Sequence, residues 1–180
     1  MSGIDSSEKR INLIQGEYKV SADPKVVFST LLGSCVGACI RDPIAAVGGM
    51  NHFLLPGKDS QEGMQYGAFA MEVLINALLK AGARRERIEA KLFGGARMLQ
   101  GLTDIGEQNA EFAKRFLSDE GITYLGGSLG GDEARRVMFW PGTGVARQQR
   151  LAHQEATFVR EIKAPAPAPE DDGDVELFAA

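Results

Sequence analysis

The run KVVFSTLLGSCVGACI, residues 25–40, constrains the fold more than any other stretch of the chain. It is apolar and rich in β-branched residues, which suit the pleated surface of a sheet. It is too short to cross a bilayer as a helix, and no other apolar run of the chain approaches that length. Gly33-Ser34 interrupts it. The run therefore reads as two strand pieces with a sharp local feature between them. Glycine makes up 22 of the 180 residues, which favours turns and short strands over a helical bundle. The neighbouring segments continue the pattern. INLIQGEYKVS is a strand with a glycine interruption, and Asp23-Pro24 and Asp42-Pro43 mark turns. AVGGMNHFLLP is the next strand, closed by Pro56, and GKDSQEGMQYG reads as a polar loop.

The hydrophobic period then changes. In AFAMEVLINALLKAGA, Phe69, Val73, Leu74, Ala77, Leu78 and Ala81 recur at helical spacing, with Gly82 as the stop. IEAKLFGGA is a strand ending in a glycine pair. GEQNAEFAKRFLSDEG is a second helix, with Phe112, Phe116 and Leu117 inward and Gly121 as its stop. ITYLGGSLGG is a strand, and ARRVMFWPGTGVARQQRL is a hairpin around Pro141–Gly144. The expected body is a mixed, largely antiparallel α+β domain with two main helices, residues 1–163. Residues 164–180 open with APAPAPEDDGD, a Pro-Ala and acidic stretch that cannot bury enough surface to fold. They are expected to form a disordered tail.

Charge narrows the function. The net charge is −4, but the tail holds five of the 24 acids and no base, so the body carries 19 acids against 20 bases. Such a field does not suit a nucleic-acid binder. The polar N-terminus lacks a secretory pattern, which makes the cytoplasm, with its reduced thiols, the expected compartment. There is no apolar segment to insert into a membrane.

The two cysteines, Cys35 and Cys39, lie in the run of residues 25–40, and His52 follows Cys35 by seventeen residues. A thiol is nucleophilic as thiolate, and an imidazole is a suitable proton acceptor. The turn at Asp42-Pro43 returns the chain so that His52 lies beside Cys35 on adjacent strands. Gly33 and Ser34 leave room for a substrate carbonyl near the backbone N–H of Cys35, as an oxyanion site requires. A third group should orient the imidazole. Ser29 shares strand parity with Cys35 and Thr30 does not, so a regular strand makes Ser29 the hydroxyl nearest the site, although the glycine break disturbs that parity. The bland alternative is that Cys35 is a small buried residue, the reading that Cys39 keeps. A metal site built from Cys35, Cys39 and His52 lacks a fourth ligand at familiar spacing, so none is expected.

TLLGSCVGACIRDPIAAVGGMNHFLLP resembles the signature of the chemoreceptor glutamine deamidases, the CheD family of chemotaxis. The resemblance continues through MQYGAFAMEVLINALLKAGA, KLFGGARML, IGEQNAEFAKRFLSDEGI and GGSLGGDEARRVMFWPGTG, and covers roughly residues 13–150. It implies a layered α/β sandwich with much antiparallel sheet. It implies hydrolysis of glutamine side-chain amides on methyl-accepting chemotaxis receptors to glutamate, with no cofactor. Cys35 matches the family's nucleophile and His52 its base. The family's third residue is a threonine six positions before the cysteine, where this chain has Ser29. The resemblance also implies a CheC-type phosphatase as partner in some members. A non-catalytic binding module and a cysteine peptidase are the competing readings. The terminal Ala179-Ala180 resembles ends recognised by the bacterial Clp unfoldase-protease, and Val175, Leu177 and Phe178 offer a short apolar segment for a partner's groove.

Overall fold

A computed structural model describes residues 7–56, 61–98, 104–152 and 175–179. Among these, ten strands and two α-helices form three layers. The first sheet contains β1 (Lys9–Asn12), β3 (Val26–Leu32), β8 (Arg135–Phe139), β9 (Ala146–Arg150) and β10 (Val175–Phe178), in that order. The second contains β2 (Tyr18–Ser21), β5 (Val47–Asn51), β4 (Val36–Asp42), β6 (Glu89–Gly94) and β7 (Thr123–Leu129). Helices α1 (Gln61–Lys80) and α2 (Ile105–Asp119) cover the outer face of the second sheet. Within the sheets β1–β3 and β6–β7 pair parallel, and the other pairs run antiparallel. The expected α+β sandwich with largely antiparallel sheet is the fold observed.

Two apolar layers hold it together. Phe28, Leu32, Cys39, Met50, Phe93, Val137 and Phe139 fill the space between the sheets. Val36, Ala38, Ile40 and Leu92 face the other way, onto Met71, Leu74, Ile75 and Leu78 of α1 and Phe112, Ala113 and Phe116 of α2. Strand β4 feeds both layers because its side chains alternate and both of its faces are covered. That explains why residues 36–40 read as an unbroken apolar run. No helix among the described residues is long and apolar enough to cross a membrane.

Three expectations need correction. Helix α1 begins at Gln61, inside the segment read as a polar loop. Its buried stripe is Gly63, Gly67, Met71, Leu74, Ile75 and Leu78, so Phe69 is 64% exposed. Glycines at 63 and 67 hid that stripe, because they occupy the inward face without being apolar side chains. The end of the acidic tail also does not stay apart from the body. Residues 164–174 lie outside the described residues, but β10 pairs antiparallel with β9, and the Phe178 ring packs edge-on against Phe93 at 5.1 Å. The Lys91 ammonium donates to the carbonyls of Phe178 (3.1 Å), Ala179 (2.9 Å) and Gly144 (2.7 Å), which occupies its three protons.

Candidate active site

Between β3 and β4 the chain leaves one sheet and enters the other through the bend Gly33–Cys35. Three donors grip the carbonyls of this bend. Ala96 N–H bonds Gly33 O at 2.9 Å, Gly95 N–H bonds Cys35 O at 2.8 Å, and the Asn109 side-chain amide bonds Ser34 O at 2.7 Å. The approach of β6 is close enough that a Cβ at Gly94 would overlap the Cys35 carbonyl, and Gly94 has φ of +105°. The glycine pair ending β6 is therefore needed on both steric and conformational grounds.

His52 follows β5 directly. One residue on, Phe53 exchanges both backbone hydrogen bonds with Val36, at 2.9 and 3.0 Å. Val36 and Phe53 both point into the helix-side core. Their neighbours Cys35 and His52 accordingly project to the opposite face, as diagonal neighbours across this bridge. The segment Leu13–Glu17, between β1 and β2, lies along the same place. Gly16 N–H bonds His52 O at 2.8 Å, and His52 N–H bonds Glu17 O at 3.1 Å. The Cys35 thiol faces the side-chain carbonyl oxygen of Gln15 at 3.8 Å.

The imidazole is held by Thr30. Its Oγ1 lies 2.8 Å from His52 Nδ1 and also donates to the Leu13 carbonyl at 2.8 Å. A hydroxyl has one proton. Since that proton goes to Leu13 O, Oγ1 accepts from His52, so the imidazole carries its proton on Nδ1 and its lone pair on Nε2. That is the tautomer a general base of this kind requires.

Thr30, not Ser29, therefore occupies the orienting position. Phe28, Thr30 and Leu32 share the face of β3 that looks across to the second sheet, where Phe28 and Leu32 join the inter-sheet core. Ser29 alternates to the other face, buried there at 5% exposure. Parity counted from Cys35 back to Ser29 misleads because the bend has carried Cys35 onto the other sheet. The available signal was the apolar pair Phe28 and Leu32 flanking Thr30 at spacing two.

The model of the family described as CheD chemotactic sensory transduction matches residues 54–150. A probable chemoreceptor glutamine deamidase CheD of Caulobacter vibrioides is 54% identical over 176 residues, covering 94% of this chain and 93% of its own. Proteins of the same description from Acidiphilium cryptum and Agrobacterium fabrum are 54% and 52% identical, covering 94% and 97% of this chain and 94% and 99% of their own. The chain belongs to the CheD family.

In this CheD protein burial disfavours the charged forms of both Cys35 and His52. Burial pushes the Cys35 thiol up to about 11, against a smaller lowering effect of its own backbone N–H. Burial also lowers His52 to about 4, partly offset by the nearby Glu17. Both shifts favour the neutral thiol and the neutral imidazole over a preformed thiolate–imidazolium pair. Fixing the Gly33 and Ser34 carbonyls also fixes the N–H groups of Ser34 and Cys35, which point opposite to them across trans peptides. Those two N–H groups are the candidate oxyanion donors, on the side of the bend away from Ala96 and Asn109. Cys39 is buried between the sheets, and burial raises its thiol strongly despite the nearby Lys91. Asn51, next to His52 in sequence, turns away. Its Oδ1 accepts from Ala38 N–H at 2.9 Å and its Nδ2 donates to Ala70 O at 3.3 Å. Sequence reasoning missed Gln15 and Asn109. Asn109 is visible in hindsight as a polar residue in line with Phe112 and Phe116 on the apolar face of α2.

Proposed function

We propose that this chain hydrolyses glutamine side chains on the cytoplasmic domains of methyl-accepting chemotaxis receptors to glutamate, acting as a protein-glutamine glutaminase in the cytoplasm. The observation that carries the residue assignment is the chain Leu13 O, Thr30 Oγ1, His52 Nδ1, which leaves Nε2 as base on the face shared with Cys35. His52 Nε2 takes the thiol proton as Cys35 Sγ attacks the amide carbon. The N–H groups of Ser34 and Cys35 receive the oxyanion. His52 returns the proton to the leaving nitrogen, ammonia departs and a thioester remains. Water, deprotonated by His52, adds to the thioester carbonyl, and collapse of that adduct releases glutamate and restores the thiol. The residues need no cofactor for this sequence. A CheC-type phosphatase is a second proposed partner, on the family resemblance.

The test is incubation with a receptor cytoplasmic fragment. A mass gain of about one dalton per converted glutamine is expected, lost in Cys35→Ala and His52→Gln and retained in Cys39→Ala. Peptide fragments would mean a peptidase, and an unchanged mass with receptor binding would mean a binding module.

A further inference from the structure

We infer that Asn109, on α2, is the positioning residue that aims the oxyanion-binding backbone of the Cys35 bend; the inference rests on the deamidase reading. Asparagine is a poor choice for the middle of a buried helix face, where it is less favourable than alanine and brings a polar amide into the core. Asn109 is 0% exposed and lies among Ala110, Phe112, Ala113 and Phe116. Both ends of its amide are used across the layers. Nδ2 donates to Ser34 O at 2.7 Å, and Oδ1 accepts from Leu55 N–H at 2.9 Å. Because a carbonyl only accepts and an N–H only donates, the orientation of the amide is fixed by its partners.

The two partners lie on the two arms of the site. Ser34 immediately precedes Cys35, and Leu55 lies three residues after His52. The start of α2 is seated tightly enough to make the grip rigid. A Cβ at Gly106 would overlap the Ala96 carbonyl, so the helix rests directly on the segment that grips Gly33 and Cys35. Of the three carbonyl grips on the bend, those of Gly95 and Ala96 are made by backbone and survive any side-chain change. The grip on Ser34 is a side chain. It sets the plane of the Ser34–Cys35 peptide, and hence the direction of the N–H that sits on the nucleophile itself. The Asn109 amide bonds Ser34 O and Leu55 N–H, whereas the thiol faces Gln15. Its effect on the nucleophile passes through the angle of the Ser34–Cys35 peptide.

The chemistry supplies a readout that a purely structural role would not give. Deamidation passes through an oxyanion, whereas alkylation of Cys35 by iodoacetamide displaces iodide at a methylene carbon and develops none. In Asn109→Asp the acceptor for Leu55 N–H remains, while the donor to Ser34 O is replaced by a repelling oxygen. Asn109→Ala removes both contacts. The experiment measures kcat and KM on a receptor cytoplasmic fragment, the iodoacetamide rate at Cys35, and the melting temperature, for the parent and both variants of the full chain. The expected result is a fall in kcat of about 10- to 100-fold in both variants, with KM within about twofold of the parent and the alkylation rate falling by no more than about threefold, because redirecting the Cys35 N–H also withdraws its smaller stabilisation of the thiolate. If Asn109→Ala fails to fold, Asn109→Asp carries the comparison. The inference is overturned by a kcat within about threefold of the parent in a folded variant, or by an alkylation rate that falls in parallel with kcat. Failure of the deamidase reading itself is separate, because the parent would then alkylate at Cys35 and leave the receptor glutamines unchanged.

Discussion

Replacing Thr30 by valine tests the central feature of the site, because it deletes one hydroxyl and keeps the side-chain shape. The hydroxyl serves two buried partners, Leu13 O and His52 Nδ1, each at 2.8 Å. Leaving a buried polar group unpaired costs about 1–3 kcal/mol. A net loss of about 2 kcal/mol in stability is expected, roughly 4–8 °C in a domain of this size. The catalytic effect is a different quantity. Without an acceptor at Nδ1 the imidazole is free to carry its proton on Nε2, where it cannot act as base toward Cys35. Restoring the productive tautomer costs about one hydrogen bond, 1.4–2.8 kcal/mol, hence about 10- to 100-fold in kcat. This is below the roughly 10⁴-fold known for a buried aspartate in the same role in a serine protease, because a neutral hydroxyl does not stabilise an imidazolium by charge. Thr30→Ser should stay within about fivefold, since the hydroxyl is kept and only rotamer restriction is lost. Ser29→Ala should be nearly silent in rate. Turnover on a receptor fragment measures the first effect, and nitrogen-15 shifts of His52, read for the position of the ring proton, measure the cause. An unimpaired Thr30→Val enzyme, or a Ser29→Ala enzyme as slow as it, would refute the assignment.

Three further outcomes follow from the same geometry. Because His52 titrates near 4, the acid limb of kcat/KM should lie well below the 6.5 of a free imidazole; because Cys35 titrates near 11, iodoacetamide labelling should keep rising about tenfold per pH unit beyond neutrality, whereas a plateau below pH 7 would indicate a preformed ion pair. By linkage, a histidine depressed in the folded state contributes its full stability above the unfolded value near 6.5 and loses it as pH falls toward 4, at about 1.4 kcal/mol per pH unit, so His52→Gln should flatten the stability profile in that window. The Gln15 amide faces the thiol, so Gln15→Ala should label faster with iodoacetamide at every pH, and an unchanged rate would show that the amide does not shield the sulfur. In the tail, Lys91→Met removes three hydrogen bonds, two of them to the carbonyls of Phe178 and Ala179, and should shorten the protein's half-life in cells if a Clp-type protease engages the C-terminus, while Ala179-Ala180→Asp-Asp should lengthen it; half-lives equal to the parent's in both would dispose of the degradation idea.

The fold was legible wherever burial leaves a periodic trace. The interrupted run at 25–40 became β3 and β4 with the bend between them, and Phe112, Phe116 and Leu117 became the inner face of α2. It was illegible where the contact is with something distant in the chain. Nothing local in VELF announces a strand, because its partner β9 and the lysine that secures it lie 26–32 and 87 residues away, and a strand so short gains its order from that pairing rather than from its own propensity.

The site divides in the same way. Cys35 and His52, the proposed nucleophile and base, stand out by residue type and spacing, since cysteine and histidine are rare in this chain. The orienting hydroxyl was not, because Ser29 and Thr30 are chemically alike and adjacent, and only the switch of sheet at Gly33–Cys35 decides between them. A strand's parity holds along one ladder; β3 pairs with β1 and β8, β4 with β5 and β6, and the two ladders share no register. Thr30 faces His52 because Phe28 and Leu32 bury between the sheets on either side of it, so the same alternation that builds the inter-sheet core also presents the hydroxyl to the ring. In this protein, orientation of the His52 ring is a consequence of core packing, and a substitution at Phe28 or Leu32 that rotated β3 would reach the imidazole without touching it.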